Sequence, residues 1–192
     1  MSRLTVWNDT DPSTPVLDTT DAAEITAELA ALGARFSRWE LQDLPDDPTQ
    51  DDVLEAYRDE VDDVVAKEGY TLVDVLRLDP SQDDYDENAP AARQKFLQEH
   101  QHDDDEDRFF ASGSGIFYLH AGGKVYAAFC EAGDLISVPA NTTHWFDMGT
   151  SPAYVSVRFF HDDDGWVGDF TGSDISSRFP SYDEIAATPV RA

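Results

Sequence analysis

Between Gly115 and Phe160 the sequence breaks into short β-forming runs, each closed by glycine or proline, and this punctuation limits the chain to few folds. GIFYLHAGGKVYAAFC, residues 115–130, sets two β-rich runs around Gly122-Gly123, a pair suited to the positive φ angles of a tight hairpin. EAGD (131–134) marks another turn before LISVP (135–139), and HWFDM (144–148) and AYVSVRFF (153–160) follow. In the last run Val155, Val157 and Phe159 alternate with Tyr154, Ser156 and Arg158, the period of a strand with two different faces. Short strands at this spacing predict a mainly β protein built as an antiparallel barrel or jelly roll.

The first third reads differently. TTDAAEITAELAALG (19–33) offers N-cap candidates, apolar residues at helical spacing and a terminal glycine. DPTQDDVLEAYRDEVDDVVAKEGY (47–70) repeats the helical pattern through Val53, Leu54, Tyr57, Val61, Val64 and Val65. FSRWEL (36–41) between them suits a short strand, and YTLVDVLRL (70–78) fits either class. No repeat and no long linker divides the 192 residues. The expectation is one domain: a helical part over about 1–90 packed outside a β core over about 91–170, then a tail over 171–192 with weak signals.

Net charge is -27, from 13 basic and 40 acidic residues. The cations are ten arginines and only three lysines (Lys67, Lys95, Lys124), without the clusters that nucleic acid or an anionic membrane requires. One cysteine, Cys130, excludes an internal disulfide and suits a reducing cytoplasm. Abundant acids with scarce lysine fit a halophilic surface, soluble where salt screens self-repulsion. Most acidic runs, DDDED (103–107) among them, therefore read as solvated surface.

FLQEHQHDDDEDRFF (96–110) stands apart. If its first part is extended, Phe96, Gln98, His100 and His102 share one face, and after the acidic turn Glu106, Arg108 and Phe110 share another. His144, just beyond a turn at Pro139, supplies a third imidazole with Phe146 on its face. Three histidines and a glutamate suit a redox-capable or Lewis-acid metal with two octahedral positions open, and would crowd a zinc site. Arg158, inside an apolar run, either faces solvent at an edge or binds an anion, because an unpaired buried charge costs several kcal/mol.

These spacings resemble a known pattern. His100 and His102, Glu106 after three intervening residues and Gly113 after six more match the first cupin motif; Gly133, Pro139 and His144 match the second. Asn141 stands where that second motif often has glycine, and Met148 where it often has asparagine. EHxHxxxExRFF, GxGIFYL and PAxTxHWFDMG together resemble the acireductone dioxygenase family of methionine salvage, sharply over residues 93–166. The resemblance implies a cupin fold, a double-stranded β-helix. It also implies one Fe(2+) or Ni(2+) per chain on His100, His102, Glu106 and His144. Arg108 and Arg158 would hold the anionic substrate and Phe96, Phe146 and Trp166 would line its pocket. The partners would be an acireductone bearing a methylthio group and O2, met by a monomer. By the same resemblance an iron form yields 2-keto-4-methylthiobutyrate and formate, and a nickel form 3-methylthiopropionate, formate and carbon monoxide.

The other candidates read as structural. His120 and His161 fall at surface turns, Cys130 in a core strand, and Trp7, Trp39 and Trp145 in the core, while Glu99, on the face opposite His100, is expected to be solvated or to support a ligand from behind. Rival functions are another small-molecule cupin dioxygenase or isomerase, and a non-catalytic cupin that binds a metal or ligand.

Overall fold

The computed structural model describes residues 1–162 and 167–190. In chain order the elements are β1 (Arg3–Asn8), β2 (Pro15–Thr19), α1 (Ala22–Ala30), β3 (Arg35–Arg38), α2 (Gln50–Ala56), α3 (Arg58–Glu68), β4 (Leu72–Leu78) and α4 (Tyr85–Phe96). Then follow β5 (His100–Gln101), β6 (Glu106–Ser112), β7 (Ser114–Ala121), β8 (Lys124–Glu131), β9 (Asp134–Val138), β10 (His144–Asp147), β11 (Tyr154–Phe160), β12 (Asp169–Phe170), a 3-10 turn at Ile175–Arg178, and α5 (Tyr182–Ala187).

The strands form two antiparallel sheets. One runs β12-β5-β10-β7-β8-β1-β2 and the other β3-β9-β6-β11-β4. Three apolar clusters show how they are stacked. The first draws Leu4, Phe117, Leu119 and Phe146 from one sheet and Phe110, Ile136, Val138 and Tyr154 from the other, so it fills the space between them. The second covers the outer face of the larger sheet, where Trp7, Tyr118 and Trp145 meet Ile175, Phe179 and Ile185 of the C-terminal segment. The third covers the outer face of the smaller sheet, where Phe109, Val155, Val157 and Phe159 meet Val53, Tyr57 and Val61 of α2 and α3. The strand parity of β11 thus sorts Tyr154 inward and Val155, Val157 and Phe159 outward. The mainly β, jelly-roll-like architecture is the one the punctuated sequence predicts.

Local chemistry explains the helix limits. The Asp21 side chain accepts from the Glu24 N–H at the start of α1, and Thr49 and Asp52 form a reciprocal capping box for α2. α3 ends at Gly69, whose φ of 88° is left-handed. In the β7–β8 hairpin Gly122 and Gly123 both take positive φ, 59° and 74°.

The N-terminal part departs from the helical expectation. β1, β2, β3 and β4 all arise within the first ninety residues, and β1 pairs with β8 over six register positions. Helices α2 and α3 lie outside, as expected, whereas Ile25 and Leu29 of α1 join the cluster between the sheets. The tail, too, is ordered: Ser181 and Glu184 make a capping box for α5. None of the helices is long and apolar enough to cross a membrane among the described residues.

Candidate metal centre

Three segments converge near one end of the space between the sheets. His100 opens β5 and His144 opens β10, and these two residues are the register pair that joins the strands. His102 lies just beyond β5, and Glu106 begins β6 on the opposing sheet. One nitrogen from each of His100, His102 and His144 falls within 4.8 Å of the others. Glu106 Oε2 stands 2.9 Å from His102 Nε2 and 3.2 Å from His144 Nε2. All four side chains are buried.

The main chain fixes which nitrogen points inward. The Nδ1 atoms of His100, His102 and His144 lie 2.7, 2.8 and 2.7 Å from the carbonyl oxygens of Gln98, Asp104 and Thr142. A carbonyl only accepts, so each Nδ1 carries the proton, and in the neutral ring each Nε2 is a lone pair. Two of these lone pairs face a carboxylate oxygen. Acceptors so arranged repel unless a cation lies among them. Two donors about 2.1 Å from one ion and at right angles stand about 3 Å apart, which matches both measured separations. The residues fit a metal ion.

Electrostatics point the same way. Burial raises the Glu106 carboxyl's proton affinity, but Arg108 and then His102 and His144, which can donate from Nε2 only as imidazolium, overcome it and hold the group well below the usual carboxylate range. Arg108 Nη2 pairs with Glu106 Oε1 at 2.9 Å. Burial and the neighbouring His144 lower His100, favouring its neutral form. At His102 burial acts downward as well, but the bond that its protonated form gives Glu106 outweighs it and the net shift is upward.

The metal-facing groups line a cavity of about 270 Å³, near the small end of the roughly 300–1,000 Å³ of small-molecule sites. Phe96, Phe146 and Arg158 line it too. Arg108 does not; it lies beneath, 1% exposed, with its guanidinium carbon 4.8 Å from the centre of the Phe146 ring and 5.2 Å from that of Phe117. Arg158 is neither at a solvated edge nor a lone buried charge, because Asp74 takes its Nε and Nη2 at 2.8 and 2.6 Å. Phe96 reaches the cavity by another route than the extended one. It closes α4, so the expected strand over residues 96–102 is reduced to His100–Gln101. Trp166 lies outside the described residues.

Sequence reasoning missed several lining residues: Leu72, Asp74, Lys95, Phe160, Gly168 and Phe170. Asp74 had a signal, being an acid on the same strand face as Leu72 and Leu76 and the register partner of Arg158. The acidic run is also more than surface. Asp105 Oδ1 accepts from the Ala140 N–H at 2.8 Å, and the Asn141 N–H donates to the His102 carbonyl at 2.8 Å, so the two histidine-bearing loops are tied together. Asn141 itself has φ 61°, the conformation that favours glycine at this motif position and that asparagine tolerates. Asp104 pairs with His161, which also reaches the Glu68 carbonyl at 3.1 Å. Nor is Glu99 solvated: it is 4% exposed and binds His120 Nδ1 at 2.7 Å and Thr171 Oγ1 at 2.6 Å. Cys130 is buried in β8, as expected.

Known proteins resemble this chain. The profile of the ARD/ARD' family matches residues 3–168. Acireductone dioxygenase of Saccharopolyspora erythraea is 61% identical over 189 residues, which cover 98% of this chain and 100% of that one. The Frankia alni protein of the same name is 54% identical, covering 97% and 91%. Among solved structures, acireductone dioxygenase from Bacillus anthracis with a cadmium ion in its active centre superposes with a TM-score of 0.73. It is 28% identical and covers 88% of this chain and 98% of its own. The likeness in fold, the three-histidine metal site and the near full-length identity agree: this chain belongs to the ARD/ARD' family.

Proposed function

We propose that the chain is an acireductone dioxygenase of methionine salvage, a metal-dependent enzyme that uses O2 to cleave 1,2-dihydroxy-3-keto-5-methylthiopentene. The observation that carries this reading is the set of three inward lone pairs around an ionised carboxylate at the end of a small cavity. His100, His102, Glu106 and His144 would hold one Fe(2+) or Ni(2+). When bound, the ion supplies a Lewis acid and template for the substrate's oxygens and O2. Iron gives 2-keto-4-methylthiobutyrate and formate in this reading, and nickel gives 3-methylthiopropionate, formate and carbon monoxide.

The chain's own residues do the rest. The Nδ1–H bonds to main-chain carbonyls hold the imidazoles in the ligating tautomer and orientation. Arg108 keeps Glu106 ionised and adds positive charge beneath the site, where a dianion would bind. Arg158, oriented by Asp74, presents a second guanidinium at the cavity wall. Phe96 and Phe146 make apolar walls that exclude water and fix the carbon chain, and we include Trp166 with them. In this reading the enzyme acts as a monomer in the cytoplasm.

The test is oxygen uptake by iron- and nickel-reconstituted protein given the acireductone, with products identified by mass spectrometry. We expect one O2 consumed per substrate and a product set that changes with the metal. Tight metal binding without oxygen uptake would instead establish a non-catalytic metal-binding cupin.

A further inference from the structure

We infer that Leu72 and Phe170 clamp the apolar tail of the substrate and so determine which acireductones the site accepts; this rests on the function proposed above. The two residues come from opposite sheets. Leu72 begins β4, the edge strand of the smaller sheet, and Phe170 ends β12, the edge strand of the larger one. Both line the cavity that holds the imidazoles. The cavity therefore opens at the seam between two sheet edges, with one large apolar side chain contributed by each.

Their exposure needs a reason. Leu72 is 37% and Phe170 45% exposed, two of the seven exposed large apolar residues among the described residues of a chain of net charge -27. Exposed large apolar residues mark binding sites when they gather at one opening. Strand register orders the layers beneath them. Along the inner faces of β4 and β11 the pairs are Leu78–Tyr154, Leu76–Ser156, Asp74–Arg158 and finally Leu72–Phe160. Residues two apart on a strand are separated by about 7 Å, so the Leu72 layer sits that far outside the Arg158–Asp74 pair. The charged, oxygen-rich head of the substrate belongs with the inward lone pairs and guanidinium groups. Its alkylthio tail then points outward, between Leu72 and Phe170.

Phe170 is held for this task. It is the register partner of His100, with ring centroids 5.6 Å apart. The next residue, Thr171, is hooked to Glu99 twice: its N–H donates to the Glu99 carbonyl at 3.1 Å and its hydroxyl to the Glu99 carboxylate at 2.6 Å. Gly168 leaves room, since a Cβ there would sit 3.3 Å from the Phe170 ring and 3.6 Å from His100 Cδ2.

The experiment compares kcat/KM for the methylthio substrate with that for an analogue whose tail is cut back to a methyl group, using metal-loaded wild type, Leu72→Ala and Phe170→Ala. Loss of part of an apolar wall should lower the ratio of the two values by about three- to tenfold in each variant. Metal content, measured by elemental analysis, accompanies every assay. Because Phe170 packs on His100, Leu72→Ala decides the matter if Phe170→Ala loads metal poorly; β4 carries none of the four metal-facing groups. A ratio equal to that of wild type in an active, metal-loaded variant overturns the clamp and leaves the functional reading standing. Failure of wild type to consume either substrate overturns that reading, and the clamp with it.

Discussion

Each imidazole of the centre commits one nitrogen to a main-chain carbonyl, and this leaves protons and metal to compete for the other. Of the three rings, His102 is shifted upward and His100 downward. As pH falls, His102 is therefore protonated before His100, and each proton taken up by a ligating nitrogen expels metal. Apparent metal affinity should hold steady while the rings are neutral and fall about tenfold per pH unit once the first ring titrates, steepening as others join. Metal titrations between pH 5 and 8 check this, and a flat profile would contradict it. The same cluster predicts a stability effect. Arg108 is the buried cation beside Glu106, so Arg108→Met should destabilise the metal-free protein by about 3–5 kcal/mol. Added metal should restore part of the loss, because the ion supplies the missing positive charge; chemical denaturation with and without metal measures both. At this scale the sequence was informative where side-chain chemistry is rare. Five histidines in 192 residues made the spacing of three of them legible. Forty acids did the opposite: Asp74, Glu99 and Asp105, all with definite partners, were lost among the rest.

Among the elements, what could be read locally was read well. The alternation in residues 153–160 sorts β11 into an inner and an outer face, and α1 and α2 begin close to their polar signals. What failed depends on distant partners. RLTVWN at the N-terminus is β-rich but short, and it becomes a strand because β8 and β2 flank it. The alternating histidines suggested an extended chain back to Phe96, yet helix α4 continues to that residue and the strand begins only where His100 meets His144. Glycines of the motif likewise gain meaning from across the fold. Gly115 sits in β7 against the cavity wall, and a Cβ there would lie 2.3 Å from Phe146 Cζ and 2.5 Å from its Cε2. Gly115→Ala should therefore drive the Phe146 ring toward the metal-facing groups. We expect a stability loss of about 1–3 kcal/mol together with a raised KM, while metal content is kept. A variant with unchanged KM would show that the ring moves elsewhere.

Charge acts across the whole molecule. Forty acids and 13 cations leave a large excess of like charge on the surface, and its self-repulsion favours expansion. Salt acts on two opposed contributions. It weakens exposed ion pairs such as Arg58–Glu55, which are worth about 0–1 kcal/mol each. It also screens the self-repulsion, since the Debye length shrinks from about 30 Å at 0.01 M to about 3 Å at 1 M. Better shielded pairs, among them Arg3–Asp18 and Arg93–Asp147, are screened far less and go on joining β1 to β2 and α4 to β10. Relief of repulsion should thus exceed the loss of exposed pairs. The melting temperature should rise with KCl between 0.01 and 1 M by roughly 5–10 °C, since 1 kcal/mol corresponds to about 2–4 °C for a chain of this size. Calorimetry of the metal-loaded protein at fixed pH measures it. An unchanged or falling melting temperature would mean that the exposed ion pairs outweigh the repulsion, and that the acidic surface has no part in stabilising the fold at high salt.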